Sequence, residues 1–193
     1  MGRKPNTESR RHQIIDALLL EIAETGYERA STVSIAARAG LAPGLIHYHF
    51  KSKEEILLAL VDELVAFAEL SGAVAMDTAG LPRDKLGAYI SARVGFGPHA
   101  DTVQVKAWVS ILAEAMGLPG VKARIAQWLA SDFDNLAGLF EEAGATEYRQ
   151  HAAMLLASIL GCFSLHVVDL PKVPPAYAEG QLLAWLDAIL PRA

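Results

Sequence analysis

Residues 41–57, LAPGLIHYHFKSKEEIL, place several chemically useful side chains close together. Two imidazoles, a phenol and two ammonium groups come from His47, Tyr48, His49, Lys51 and Lys53. A His-x-His pair can begin a zinc site, but zinc needs further ligands and no set of Cys, His or carboxylates stands nearby. We therefore expect no metal here. The same groups can instead donate hydrogen bonds to the phosphates and bases of a nucleic acid.

Short helices would have to position these side chains. Apolar residues at the spacing of one helix face, within 14–23, predict a first helix that ends at Gly26. Thr32 can cap a second, short helix of sequence VSIAARA. Pro43 suits the first turn of a third helix that runs to about Phe50. The ring-rich cluster therefore falls at the end of the third helix.

Two short helices that pack on a longer one describe a helix–turn–helix. Ser52 and Glu55 form an S-x-x-E capping box that opens a long fourth helix, KEEILLALVDELVAFAEL. The expected core of the first three helices is apolar: Val33, Ile35, Ala36, Ala39, Leu41, Ile46 and Phe50. From periodicity alone, a helical hairpin without a ligand is an alternative to a DNA-binding motif.

Helical spacing continues through the rest of the 193 residues. Gly72, Gly80 and Pro82 predict a loop after the fourth helix. Further helices are predicted at about 83–96, 100–116, 120–143, 146–169 and 175–190, with breaks rich in Gly or Pro between them. The predicted fold class is all-α, with about nine helices.

The series STVSIAARAGLAPGLIHYHFKSKEEIL, preceded by GYERAS, resembles the DNA-binding segment of the TetR family of bacterial transcriptional regulators. The resemblance covers roughly residues 10–57. It rests on a threonine that opens the second helix, an IA…AG run, an early glycine in the third helix, and rings before a K-S-K start. These are Thr32, Ile35–Ala36, Ala39–Gly40, Gly44, His47–Phe50, Lys51–Lys53 and Ile56. Two positions depart from the family pattern: Ala42 replaces a frequent hydroxyl residue, and His47 a common tyrosine.

The resemblance implies that the third helix lies in the DNA major groove. The implied DNA-contacting residues are Thr32, Arg38, Pro43, Gly44, His47, Tyr48, Lys51 and Lys53. Among them, Thr32 and Lys53 would bind flanking phosphates, Tyr48 a phosphate, and His47 a base or phosphate. His49 and Phe50 are expected mainly to pack. Arg3, Lys4, Arg10 and Arg11 could add attraction that does not depend on sequence.

The resemblance also implies a division into a DNA-binding domain, 1–56, and a larger helical effector-binding and dimerisation domain, 57–193. Small residues recur at i, i+4 and i+8 in HAAMLLASILGCFSLHVV, which allows close helix approach. Together with GQLLAWLDAIL this run would form a four-helix dimer interface. Its candidate residues are Ala153, Ala157, Gly161, Leu183 and Leu186. A two-fold dimer predicts an inverted-repeat operator.

An effector cavity would be lined by aromatic and flexible apolar side chains, for each of which plain core is the alternative. The candidates are Tyr89, Phe96, His99, Trp108, Met116, Trp128, Phe133, Phe163 and His166. The runs VKAWVSILAEAM and GLPGVKARIAQWLASDFDNLAGLFEEAG resemble the TetR subgroup typified by BetI. Few charges in such a pocket favour a small organic effector over a phosphorylated one.

Composition adds limits of its own. The net charge is −5, but residues 1–56 hold eight basic and seven acidic residues, against nine and fifteen afterwards, which permits a DNA-facing first quarter. The single cysteine, Cys162, excludes an internal disulfide and agrees with a cytoplasmic protein, as does the polar start without a leader run. Residues 150–168 lack charged side chains over a bilayer's length, yet polar groups within them favour a buried helix over a membrane span.

We therefore expect a homodimeric repressor, released from double-stranded DNA by a small organic ligand, without cofactor or membrane. Tilting of the fourth helix would change the separation of the recognition helices. An enzyme is disfavoured, because no H-E-x-x-H, G-x-S-x-G or P-loop motif occurs. A helical dimer that binds ligands or proteins but no operator is the remaining alternative.

Overall fold

The structure of the chain, a computed structural model, describes residues 4–95, 102–169, 172–174 and 176–190. These residues form nine α-helices and no strand, which confirms the predicted fold class. In chain order the helices are α1 (Lys4–Thr25), α2 (Thr32–Arg38), α3 (Pro43–His49), α4 (Lys53–Asp77), α5 (Pro82–Val94), α6 (Thr102–Glu114), α7 (Pro119–Glu142), α8 (Tyr148–Val168) and α9 (Tyr177–Ile189).

The chain divides into two compact units. The first unit comprises the described residues of Met1–Val65 and Thr102–Ile125, and the second those of Ala66–Asp101 and Ala126–Ala193. This is a division by packing. The functional division at residue 56 stays a prediction.

In the first unit, α1 packs on α2, α3 and α6, and α2 packs on α3. Apolar side chains that are at most 2% exposed fill its core: Ile14, Leu18, Ile35, Ile46, Phe50, Ile56, Leu57, Leu60 and Ile111. Two core assignments differ from prediction. Val33 is 62% exposed at the start of α2, and Leu41 is only half-buried in the turn. Both residues lie where a short helix begins or ends, so one side of each side chain is exposed to solvent.

The start of α2 also differs from prediction, because Ser31 and not Thr32 caps the helix. Ser31 has extended backbone angles, and its Oγ accepts from the amide of Ser34 at 3.0 Å. In turn, the Ser34 hydroxyl oxygen accepts a hydrogen bond from the amide of Ser31 at 3.0 Å. Gly40 then takes a φ of +64° between α2 and α3, where a side chain would be strained.

In the second unit, α5 packs on α8 and α9. Leu86, Ile90 and Val94 of α5 and Leu155 of α8 are fully buried. The loop predicted around Gly72 is wrong, since α4 continues through Gly72 to Asp77. A helical glycine costs only about 1 kcal/mol, which neighbouring apolar residues easily offset.

Among the described residues, α8 is the one helix long and apolar enough to span a membrane by length and composition. Its most apolar 18-residue window has a mean hydropathy of 1.8 and is 22% buried within the protein. The exposed residues of α8 include Met154, Leu165 and Val168. This helix therefore presents an apolar face that the described residues do not cover.

Candidate functional site

Helix α3 has one buried side and one exposed side. Ile46 and the following Phe50 are 1% exposed and fix the helix against the core. On the other side, His47 is exposed and Tyr48 is 72% exposed. Pro43 and Gly44 are exposed one turn earlier, and the space beside the Gly44 Cα is open. The structure thus brings four of the predicted contact residues onto one accessible face.

Side chains of α1 bind the carbonyl groups at the ends of both short helices. Gln13 Nε2 donates to the Ala39 carbonyl, just after α2, at 2.6 Å. Arg11 Nη1 donates to the carbonyl of His49, the last residue of α3, at 2.5 Å. The Arg11 guanidinium also lies 4.0 Å from the centre of the Phe50 ring. Carbonyls at helix ends lack intrahelical partners, so these bonds satisfy them and fix both helices to α1.

Lys53 performs a similar function at the connection between α1 and α2. Its ammonium donates to the carbonyls of Tyr27 and Ala30, both at 2.9 Å, and lies 4.0 Å from the centre of the Tyr27 ring. Burial, aided by nearby carboxylates, raises the pKa of Tyr27 to about 12, so the ring stays uncharged. Two of the three Lys53 donors are therefore used inside the protein.

Arg38 is paired with two acidic side chains of α1. Its Nε donates to Glu21 at 2.8 Å and its Nη1 to Glu24 at 3.0 Å. The hydrogen bond from Arg38 lowers the pKa of Glu24, so both partners are charged at neutral pH. These two carboxylates offset the attraction to phosphate that the sequence predicts for Arg38.

The start of α4 partly follows the predicted capping box. The Glu55 amide donates to Ser52 Oγ at 3.1 Å, as expected. The Glu55 carboxylate accepts from the Lys51 amide at 2.7 Å instead of from that of Ser52. The side chain of Lys51 is exposed, whereas Thr32 is half-buried. Arg3 and the Lys4 side chain lie outside the described residues.

His49 differs from His47 in its surroundings. It is half-buried, and its ring meets that of Tyr48 edge-on at 5.0 Å. Burial, together with the charges of Arg11 and Arg10, lowers the pKa of His49. No group of three or more metal-ligating side chains occurs in the described part of the chain.

The aromatic residues predicted to line an effector cavity are distributed over both units. Within the second unit, Tyr89, Trp128 and Phe163 are buried, while Phe133 and His166 are half-buried. Trp108 is buried in α6 of the first unit. Phe96 and His99 lie outside the described residues.

The prediction for Met116 is wrong. Its side chain is 91% exposed, because it lies in the turn after α6, where none of the described helices covers it. An apolar type therefore did not imply a place in a cavity.

Tyr89 and Trp128 belong to a buried polar cluster that the sequence reasoning missed. Tyr89 donates to Asp132 Oδ2 at 2.6 Å, and Arg93 Nη2 lies 3.3 Å from the same oxygen. The Arg93 guanidinium lies 4.8 Å from the Tyr89 ring centre and 5.7 Å from that of Trp128. A charge four residues after an aromatic ring in both α5 and α7 was the available signal, since such residues share a helix face.

The second unit also holds an open cleft of about 610 Å³. The ends of α4 and α7 and the start of α5 line it with mostly acidic polar groups, among them Asp77, Lys85, Asp134 and Glu142. None of the predicted pocket residues lines this cleft. The cleft and the cluster around Arg93 are thus two separate candidates within that unit.

The predicted dimer residues fall into two sets. Ala153, Ala157 and Gly161 are exposed on α8. Leu186 is 2% exposed, and Leu183 packs on α5, 3.6 Å from where a Cβ of Gly87 would lie. The prediction for Leu186 needs correction, because its side chain is buried in the core of its own unit. Leu183 is half-buried, and its place in the interface stays a prediction. The exposed side of α9 carries small residues instead: Gly180, Ala184 and Ala188.

Comparison with known proteins identifies the family. Residues 14–60 match the family described as "Bacterial regulatory proteins, tetR family". The HTH-type transcriptional regulator BetI of Escherichia coli (strain K12 / DH10B) is 30% identical over 155 residues, 78% of each chain. The chain belongs to the TetR family. It is therefore a DNA-binding transcriptional regulator with BetI-like relatives, which confirms that it is not an enzyme.

The chain is also similar to a second BetI relative, and two solved structures share its fold. BetI of Rhizobium meliloti (strain 1021) is 34% identical over 107 residues, 55% of this chain and only 52% of the relative. A Rhodococcus sp. Rha1 regulator matches with TM-score 0.84, 24% identity and coverage of 93% and 95% of the two chains. A regulator from Saccharomonospora viridis, in complex with choline, matches with TM-score 0.85, 21% identity and coverage of 96% and 100%. At these identities the structures support the fold alone.

Proposed function

We propose that this TetR-family protein is a cytoplasmic homodimeric repressor that binds an inverted-repeat operator with α3 of each subunit. The observation that carries the proposal is the exposed face of α3, held in place from α1. Arg11 and Gln13 bind the carbonyls that end α3 and α2, so the face is presented by a rigid scaffold. A pre-organised reading helix loses less entropy when it enters the major groove.

The exposed groups of α3 and its flanks would divide between bases and phosphates. His47 and Tyr48 offer donors near base edges and backbone, and the open side of Pro43–Gly44 admits close approach of the duplex. Lys51 and Thr32 would contact phosphates. Lys53, Arg38 and Arg11 contribute chiefly by positioning, since their donors bind oxygens within the protein.

The dimer would form through α8 and α9. The apolar window of α8 is 22% buried by its own chain, and such a face favours a partner. Small residues on the exposed sides of both helices permit close packing of four helices. A two-fold axis through this interface gives two copies of α3, as an inverted repeat requires.

Release by an effector would operate through the second unit. The choline complex of the Saccharomonospora viridis regulator supports a small organic effector for this chain too. A ligand that binds the non-operator state better weakens DNA binding by its coupling free energy, typically about 1–3 kcal/mol. Relief of repression is the expected direction.

Operator binding is tested by fluorescence anisotropy with the inverted repeats upstream of the protein's own gene, at several salt concentrations. We expect specific binding at least about 10³-fold tighter than to random duplex, as is typical of specific DNA binders. Equal affinity for both DNAs would instead support an interaction protein without an operator. His47→Ala should weaken operator binding; unchanged affinity would remove His47 from the contacts.

Matched lysine variants separate contact from positioning. Lys51→Met should reduce the slope of log affinity against log salt by about one phosphate equivalent in each subunit. Lys53→Met should leave that slope unchanged, because the Lys53 ammonium is bound inside the protein. The opposite pattern would restore Lys53 as the phosphate contact.

A further inference from the structure

The buried cluster in the second unit consists of Tyr89 and Arg93 from α5 and Trp128 and Asp132 from α7. Each pair is separated by four residues, so each helix presents one ring and one charge on a single face. The side chain of Arg93 is 8% exposed and that of Asp132 is 11% exposed. The cluster therefore removes two opposite charges and two rings from water together.

The composition of this cluster is that of a cation site. Aromatic faces attract a cation within about 6 Å of the ring centre, and a carboxylate completes its neutralisation. Here the guanidinium of Arg93 already occupies both places, over the two rings and beside Asp132. A soluble cation would have to displace a cation that the chain itself supplies.

Gly72 of α4 lies beside this arrangement. A Cβ at Gly72 would lie 3.6 Å from Arg93 Nη2 and 3.8 Å from the ring of Tyr89. The helix thus passes close to the guanidinium on a side where no side chain intervenes. Arg93 is held between α4 and the two rings.

Tyr89 donates a hydrogen bond to the Asp132 carboxylate that persists at neutral pH. Burial raises the pKa of the Tyr89 hydroxyl above its ordinary value, against the effect of Arg93 and together with that of Asp132. The hydroxyl therefore keeps its proton at neutral pH and donates a hydrogen bond to the carboxylate. Asp132 receives two donors, one neutral and one charged.

The contact with Asp132 does not use the Nε–H group of Arg93. This Nε–H is buried and has no hydrogen-bond partner among the described residues. A buried donor without a partner destabilises the protein, and a charged one does so more strongly. Such a group favours a ligand that brings an acceptor oxygen, and a carboxylate forms the strongest bond of this kind.

We propose that the effector is a small organic acid whose carboxylate accepts a hydrogen bond from Arg93 Nε, within the cluster of Tyr89, Arg93, Trp128 and Asp132. The proposal rests on the proposed function, since it names the ligand class of the effector unit. Arg93 then bridges two carboxylates, that of Asp132 and that of the ligand, as its planar five-donor fork permits. The guanidinium of Arg93 already fills the place over the rings that a quaternary ammonium ion would take.

The experiment is calorimetric titration of the full-length protein, without DNA. The probes are a series of alkyl and aryl monocarboxylates, with the alcohols and trimethylammonium compounds of the same carbon skeletons, choline included. We expect at least one carboxylate to bind tenfold or more tightly than its alcohol, and the ammonium compounds to bind weakest. Equal binding across the three classes, or binding of none, would overturn the proposal.

Two variants locate the site. Arg93→Met leaves both rings and the Asp132 carboxylate in place, so it should lose the carboxylate preference and gain binding of the trimethylammonium compounds. Arg93→Lys keeps the charge but removes Nε, and should lose most of the carboxylate preference without that gain. The lysine variant decides the question if the methionine variant does not fold, as judged by circular dichroism.

Lys85→Met is the matched control. Lys85 also lies on α5, but it lines the open acidic cleft and not the cluster. We expect it to bind carboxylates as the natural protein does. If Lys85→Met loses binding and the Arg93 variants keep it, the cleft is the effector site and the proposal is wrong.

Operator release is measured separately, by anisotropy with the best carboxylate. Calorimetric binding without release would leave the ligand class in place and refute ligand-dependent release. Release by choline that persists in Arg93→Lys would support the regulator and refute the ligand class. The two proposals therefore fail by different results.

Discussion

The two units use their buried and half-buried donors differently. In the first, Gln13 and Arg11 bind backbone carbonyls at the ends of the short helices, and Lys53 binds those of the connection between α1 and α2. In the second, Arg93 is held by rings and one carboxylate and retains a buried Nε–H without a partner among the described residues. Donors that are satisfied internally fix a shape for reading DNA. A donor left unsatisfied inside the protein marks a place where a ligand can add a bond.

The largest expected effect tests the carbonyl bonds of Lys53. Lys53→Met removes two bonds from a charged group and should lower the free energy of unfolding by about 2–3 kcal/mol. Urea unfolding at neutral pH measures this. Lys51→Met is the control, since Lys51 is exposed, and should change stability by less than about 0.5 kcal/mol. Equal effects of both variants would remove the positioning role of Lys53.

A tyrosine pair tests the second unit in the same way. Tyr89→Phe deletes a donor to the buried Asp132 carboxylate and should cost about 1–2 kcal/mol of unfolding free energy. Tyr48→Phe makes the same chemical change at a side chain that is 72% exposed, and should be close to neutral for stability. If thermal and urea unfolding show no loss for Tyr89→Phe, the cluster does not depend on that bond.

Glycine substitutions should have opposite signs in the two units. Gly40→Ala forces a side chain into a φ of +64° and should cost about 1–2 kcal/mol. Gly72→Ala lies within α4, where the new Cβ meets Arg93 Nη2 at an ordinary 3.6 Å, and should gain about 0.5 kcal/mol. Gly138→Ala, in α7 with open space around it, is the control for the stability gained when alanine replaces a glycine within a helix. A loss at Gly72 with a gain at Gly138 would mean that Arg93 tolerates no closer neighbour.

The smallest effect concerns the charge of His49. Because burial and the charges of Arg11 and Arg10 lower its folded pKa, unfolded protein binds this proton more readily. The contribution of His49 to stability is thus present above the unfolded pKa of about 6.5 and is lost as the pH falls through that value and the lower folded one. Arg11→Met should raise the folded pKa, as a proton NMR titration of the His49 ring would measure. Arg29→Met, which removes an exposed charge not among these causes, should leave it in place.

Helix positions were predictable because local chemistry decides them. The predicted and observed ends of α5 to α9 agree within about two residues, since Pro and Gly stop helices wherever they pack. The errors arose where two neighbours offer the same chemistry or where packing overrides propensity. Ser31 and Thr32 both carry hydroxyls, but only Ser31 has the extended backbone of a cap. Gly72 remained helical within a long α4.

The site was predicted less completely than the helices. The exposed face of α3 follows from periodicity, because the buried Ile46 fixes which side of the helix faces outward. The partners of Arg11, Gln13 and Lys53 could not be predicted, since each lies 23 to 38 residues away in the chain. Leu186 shows the same limit, as its apolar type suits a core and a subunit interface equally.

By itself, the sequence determined the all-α fold, the helix–turn–helix and membership of the TetR family. Helix periodicity and the spacing of Thr32, Gly44 and Lys53 are local properties that can be recognised without knowledge of packing. Only the tertiary structure decided which positively charged side chains remain available to bind a ligand. A carbonyl at a helix end or a buried carboxylate can accept from any cation that folding brings near it. The residue type alone therefore cannot show whether Lys53 contacts a DNA phosphate, or whether Arg93 is a surface charge.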